Sequence, residues 1–156
     1  MSLEMSYLDI QETIKKAVAN TQHIAAKKGI TISFINIHHF KLNYDEDRIL
    51  QVFTNLIFNA IKFCEPTSGH IEVDYKLGDE VLIISIKDNG KGIPVEDIDS
   101  VFDKFYQSQN QNTMKPEGSG LGLAISKKII EKHKGEIWAD MQIKRGAKFV
   151  FTLPIH

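Results

Sequence analysis

Apolar residues recur along this chain with two periods in alternation, and the switches between them lay out its elements. Ile10, Ile14, Ala17, Val18, Thr21, Ile24 and Ala25 fall on one stripe at helical spacing, and Gly29 supplies the stop. Ile30 to Ile35 alternate as a strand. Asn43 or Asp45 can cap a second helix, which runs to about Phe63 and halts before Pro66. Ile71, Val73 and Tyr75, followed by Val81, Ile83 and Ser85, predict two strands joined as a hairpin at Leu77-Gly78-Asp79. A short helix is expected near Val95 to Phe105, and a longer one over Leu121 to His133, closed by Gly135. The last strand pair is Ile137 to Met141 and Phe149 to Leu153, turned near Arg145-Gly146. Tyr106 to Glu117 is polar, rich in Gln and Asn, and has no core-facing period. This interleaving predicts an α/β sandwich, with helices packed on one face of a mixed sheet.

Composition narrows the class. At 156 residues the chain is one domain, large enough to bury a core. A net charge of −1 argues against a nucleic-acid footprint, which needs a basic excess. The single cysteine, Cys64, precludes an intrachain disulfide framework and fits a reducing, cytoplasmic setting. No apolar run approaches the roughly 20 residues of a membrane span, so a membrane anchor would have to belong to a longer parent protein. Met1-Ser2-Leu3 ahead of a second methionine, Met5, reads as a cloning scar. Residues 1–7 are therefore assigned to scar and linker remnant, and 8–156 to the domain.

Three short blocks carry the chemistry. In the second helix, Asn55, Asn59 and Lys62 stand at i, i+4 and i+7 and share a face beside the buried stripe of Val52, Leu56, Ala60 and Phe63. A carboxamide oxygen is a hard neutral ligand suited to Mg²⁺, and one turn on an ammonium can meet phosphate as a point charge. Taken alone, the asparagines read equally well as exposed or backbone-capping. The second block is Asp88-Asn89-Gly90-Lys91-Gly92-Ile93-Pro94. Asp-Asn-Gly by itself is a turn signal. The further glycine lets backbone approach a flat ring, and Asp88 can accept from an exocyclic amine, which adenine offers and guanine at the equivalent position does not. The third block, Gly118-Ser119-Gly120-Leu121-Gly122-Leu123, enters a helix whose free N–H groups favour phosphate. It lacks the preceding strand of a dinucleotide fingerprint and the Gly-Lys-Ser/Thr of a P-loop.

In this order the blocks resemble the ATP-binding catalytic domain of two-component sensor histidine kinases, within the gyrase, chaperone, kinase and mismatch-repair superfamily. The resemblance runs from about residue 30 to the C-terminus. It includes an N box (Asn55 to Phe63), a G1 box (Asp88 to Pro94), an F box (Val101-Phe102-Asp103-Lys104-Phe105-Tyr106), a G2 box (Gly118 to Leu123) and a closing Phe149-Val150-Phe151-Thr152-Leu153-Pro154 strand. It implies the two-layer Bergerat sandwich, a mixed and mostly antiparallel sheet with helices on one face and a mobile ATP lid over about 106–117. By the same resemblance ATP and Mg²⁺ are the cofactors: Asn59 binds Mg²⁺, Asp88 the adenine amine and Lys62 the phosphates. Asn55, Phe63, Gly90, Gly92, Ile93, Tyr106, Lys115, Ser119, Leu121 and Leu123 complete the ATP-binding set. Gly118, Gly120 and Gly122 hinge the lid, and Phe102 and Phe105 anchor its base.

The superfamily's ATPases carry a water-activating glutamate at the first N-box position. Asn55 has no such base, which points to a domain that keeps ATP for another nucleophile. None of His23, His38, His39, His70, His133 and His156 lies in the family's phosphoacceptor pattern. The implied partners are therefore a separate dimerisation and histidine phosphotransfer domain of the same protein, and a response-regulator receiver domain, with the fragment itself monomeric. Two residues depart from the pattern. Gln107 stands where an arginine often reaches the γ-phosphate, a loss Lys104 or Lys115 could offset, and Lys134 stands where a glycine is common. An ATPase with its carboxylate supplied from elsewhere, a non-catalytic interaction module and an anti-sigma-type serine kinase are the other readings.

Overall fold

A computed structural model describes residues 1–36, 38–103, 122–140 and 145–156. Two helices and a sheet form its frame. Helix α1 spans Ile10–Lys27 and is capped by Asp9, whose carboxylate accepts from the Gln11 N–H. Helix α2 spans Glu46–Phe63, and of its two candidate caps Asp45 serves, accepting from the Arg48 N–H at 3.1 Å. Asn43 lies instead in a strand. Ile49, Val52, Phe53, Leu56, Ile57, Ala60 and Ile61 make the buried stripe of α2, while Phe63 is only half-buried.

Strands β1 (Ser6–Asp9), β2 (Thr31–Phe34), β3 (Lys41–Tyr44), β4 (His70–Leu77), β5 (Val81–Asp88), β6 (Ile137–Ala139) and β7 (Lys148–Pro154) complete the fold, with helix α3 at Gly122–Lys132. The main sheet has the order β2-β4-β5-β7-β6, parallel between β2 and β4 and antiparallel elsewhere. The expected sandwich is observed: the side chains buried on one face, among them Ile71, Val73, Leu82, Ile84, Phe149, Phe151 and Leu153, form a single core with α1, α2 and α3. Phe53 of α2 meets Phe151 of β7 edge-on, with ring centroids 5.3 Å apart.

Four differences from the sequence expectation have physical causes. β1 and β3 pair into a separate antiparallel ribbon, so Ser6 and Tyr7 are strand residues although they fall within the segment read as scar and linker. Each strand is 4 residues long, and between them only Leu42 and Tyr44 are buried, too few to mark a pair. The core face of β5 is Leu82, Ile84 and Ile86, whereas Val81, Ile83 and Ser85 lie on the other face. Of the helix expected over Val95 to Phe105, the described residues form a single 3-10 turn, Val95–Asp97, followed by turn-type hydrogen bonds such as Ser100 N–H to Asp97 carbonyl at 3.0 Å. Asp97, Asp99 and Ser100 are weak helix formers that compete for the backbone. Met141, at the end of the expected sixth strand, lies outside the described residues, and β6 ends at Ala139.

The ends of α1 and α3 share one design with different residues. Each closes with paired 6→1 and 5→2 hydrogen bonds, Ile30 to Ala25 and Gly29 to Ala26 in α1, Gly135 to Ile130 and Lys134 to Glu131 in α3. The left-handed residue is Gly29 (φ 69) in the first and Lys134 (φ 64) in the second. At the far end of α2, Asp45 ties three segments together. Its carboxylate accepts from the Glu4 N–H at 2.8 Å, and its own N–H donates to His133 Nε2 at 3.1 Å. Buried His133 donates from Nδ1 to the Ile129 carbonyl at 2.9 Å, which fixes its tautomer.

Candidate functional site

Period two decides where Asp88 points. It follows Leu82, Ile84 and Ile86 on the helix-facing side of β5, is paired with Ile71, and is 3% exposed. Its Oδ1 accepts from the Gly90 N–H at 2.9 Å and the Ala147 N–H at 3.2 Å. Oδ2 has no hydrogen-bond partner among the described residues. Burial pushes the Asp88 pKa up, and the two N–H groups offset only part of that. The result is a buried carboxylate with one oxygen fixed and the other available.

The loop after Asp88 is pressed against the end of α2. A Cβ on Gly90 would lie 2.0 Å from the Phe63 carbonyl oxygen, so only glycine allows the two backbones to meet. Asn89 faces the other way: its side chain accepts from the His70 N–H at 2.9 Å and donates to the Ser68 carbonyl at 3.0 Å, lacing the loop before β4 to the loop after β5. The buried Cys64 thiol also reaches Asn89 Oδ1, at 3.6 Å, and burial, reinforced by the nearby Asp88 charge, raises its pKa. Gly92 and half-buried Ile93 continue the same loop.

On α2, Asn55, Asn59 and Lys62 are half-buried beside the core stripe, as the helical spacing predicts. Asn59 carries no side-chain hydrogen bond to another described residue, so its carboxamide is free to take a ligand. The Lys62 ammonium lies 5.4 Å from the Phe63 ring centroid. Asn55 behaves differently. Its Nδ2 donates to the Gly122 carbonyl at 3.2 Å and to Ser126 Oγ at 3.4 Å, both in the first turn of α3. Leu123 packs half-buried against the core. Val101 is buried and Phe102 meets Phe149 edge-on, with centroids 5.9 Å apart, which anchors the first half of the F box. Lys104, Phe105, Tyr106, Gln107, Lys115, Gly118, Ser119, Gly120 and Leu121 lie outside the described residues.

Gly90 thus meets Phe63 at the end of α2, and Gly122 meets Asn55 near its middle, which joins elements far apart in sequence. Two contributors had no sequence signal. The Gly146-Ala147 pair read only as a turn, yet Ala147 holds Asp88 through its N–H, and a Cβ on Gly146 (φ 83) would lie 1.9 Å from the Asp88 carbonyl oxygen. Ser126, fully buried on α3, read only as part of a helix.

A family profile described as histidine kinase-, DNA gyrase B- and HSP90-like ATPase matches residues 44–156. The chain belongs to this family. It is 46% identical over 112 residues to the sensor histidine kinase WalK of Bacillus subtilis, covering 70% of this chain and 18% of that protein. Over 151 residues it is 38% identical to the sensor protein kinase WalK of Staphylococcus haemolyticus, covering 94% of this chain and 24% of that one. The chain therefore spans less than a quarter of the length of these relatives. Its fold matches the nucleotide-free catalytic domain of histidine kinase ThkA with a TM-score of 0.84 and 29% identity, covering 98% of this chain and 97% of that one. The described residues of the four boxes thus sit on a fold like that of a histidine kinase catalytic domain. Among the described residues no helix is long and apolar enough to cross a membrane.

Proposed function

We propose that this family member binds Mg-ATP and donates the γ-phosphoryl group to a histidine on another domain of its parent protein, within a two-component sensor kinase that works in the cytoplasm. The observation that carries this reading is Asp88: a buried carboxylate with Oδ1 held by two N–H groups, and Oδ2 unpartnered among the described residues, is built to accept from an exocyclic amine. Gly90 and Gly92 let the loop after Asp88 pack backbone to backbone on Phe63 and Gly146, which holds the carboxylate in place. Asn59 presents a neutral oxygen suited to Mg²⁺, and Lys62 one turn on supplies positive charge to phosphate. Bound Mg²⁺ would neutralise charge on the phosphates as it builds during transfer.

Asn55 cannot act as a base toward water, and its amide nitrogen is already engaged by α3. That favours transfer over hydrolysis. Tyr106, Lys115 and the Gly118-Ser119-Gly120-Leu121 run belong to the proposal through the family resemblance, as parts of a lid and its hinge. The acceptor histidine domain and a response-regulator receiver are the protein partners it calls for.

Calorimetric titration with a non-hydrolysable ATP analogue and Mg²⁺, beside the GTP analogue, tests the reading. Saturable binding selective for adenine is the expected result. Absence of binding at millimolar nucleotide would leave a folded module without this ligand.

A further inference from the structure

In the N box, the Asn55 side chain reaches across from α2 to α3. Its Nδ2 is shared between the Gly122 carbonyl at 3.2 Å and Ser126 Oγ at 3.4 Å, residues at i and i+4 on the first turn of α3. Ser126 is fully buried, so its hydroxyl depends on this contact. The surfaces are close: a Cβ on Gly122 would sit 3.7 Å from Asn55 Cγ. Asn55 Oδ1 has no partner among the described residues. One turn further along the same face of α2 stands Asn59, whose amide is unengaged.

We propose that Asn55 is a positioning residue: through Ser126 and Gly122 it locks α2 against the start of α3 and so fixes where Asn59 and Lys62 stand relative to the α3 N-terminus. This inference rests on the Mg-ATP reading above. The geometry requires a donor at this position. The Gly122 carbonyl can only accept, so its partner must donate; a carboxylate would set acceptor against acceptor. The identity of Asn55 is then dictated by a helix–helix joint, in addition to lacking a base for hydrolysis.

The test compares wild type, Asn55→Ala, Ser126→Ala, the double variant and Asn55→Asp, each titrated with the Mg-bound ATP analogue well below its melting temperature. Ser126 is not assigned to the nucleotide, so it reports the joint alone. The expected result is an affinity loss of about two- to tenfold in each single variant, the scale of one hydrogen bond, and no further loss in the double variant. Asn55→Asp should bind no better than Asn55→Ala. Wild-type affinity in Ser126→Ala with a loss in Asn55→Ala would overturn the proposal and make Asn55 a direct ligand. Lower melting temperatures with wild-type affinity in both would also overturn it, leaving a purely structural bond. Tighter Mg²⁺-dependent binding by Asn55→Asp is a third refutation. Failure of the wild type to bind is a separate result: it refutes the Mg-ATP reading itself, and this inference with it.

Discussion

Asp88→Asn separates recognition from folding. Asparagine keeps an oxygen in the Oδ1 position, where it can still accept from the Gly90 and Ala147 N–H groups at 2.9 and 3.2 Å. In place of Oδ2 it puts an NH₂, a donor facing the donor of adenine. The loss is one hydrogen bond to a charged acceptor, worth roughly 1.5–3 kcal/mol, or about ten- to 150-fold in affinity. Stability should move the other way. Burial raises the pKa of Asp88, so the folded protein holds this proton to a higher pH than the unfolded chain does. As pH rises from the unfolded value of 3.8 through the raised folded one, the ionised carboxylate weighs increasingly against folding. The neutral amide escapes that burden. The variant should therefore melt at or above the wild-type temperature at neutral pH while binding the ATP analogue at least tenfold more weakly. Calorimetric titration and thermal melts on the same samples measure both. A clear drop in melting temperature, or unchanged affinity in a folded variant, would refute the argument.

Other substitutions probe the rest of the frame. Gly146→Ala forces a Cβ to within 1.9 Å of the Asp88 carbonyl and places alanine at φ 83; a loss of roughly 2 kcal/mol or more, with weakened adenine binding, should appear in denaturant melts. Lys134→Gly replaces a left-handed lysine at the end of α3 with the residue α1 already uses there, and should raise stability by roughly 0.5–1 kcal/mol; a loss would show that the lysine side chain contributes more than its backbone costs. Phe53→Ala removes the ring packed on Phe151 and should cost roughly 3–5 kcal/mol in urea unfolding. Asp9→Ala removes the α1 cap and should cost about 1 kcal/mol. Burial works to raise the pKa of Asp9, but hydrogen bonds from His39 and the Gln11 N–H outweigh it and the net shift is downward. Its contribution is thus present above pH 3.8 and fades as pH falls through the lowered folded value, so the Asp9→Ala deficit should shrink in acid melts.

Long periodic elements were legible in the sequence because many residues vote on each: Ile10, Ile14, Ala17, Thr21 and Ala25 of the α1 stripe and Val52, Leu56 and Ala60 of the α2 stripe are buried as read, and Asp45 proves to be one of the two caps considered. Asp88 was legible through its motif, but its direction was not. Val81 to Ile86 is apolar at every position except Ser85, so the strand does not announce its inner face; had Val81, Ile83 and Ser85 faced the core, Asp88 would have pointed away from α2. The β1–β3 ribbon escaped notice because β1 buries no residue and β3 only Leu42 and Tyr44, which leaves the pair almost no apolar signal. Ala147 and Ser126 were invisible for a different reason. One contributes a backbone N–H that any residue but proline carries, and the other a hydroxyl whose partner lies 71 residues away.

The position of β7 governs when the site can come into being. This strand is threaded between β5 and β6, and the N–H that steadies Asp88 belongs to Ala147, 59 residues downstream of it. A nascent chain that has made every box of the motif still lacks the strand that closes its core and the donor that holds the carboxylate. Assembly of the proposed nucleotide site therefore waits until residues 146–154 are made and free to dock. A product truncated before them would carry the whole signature and none of its geometry.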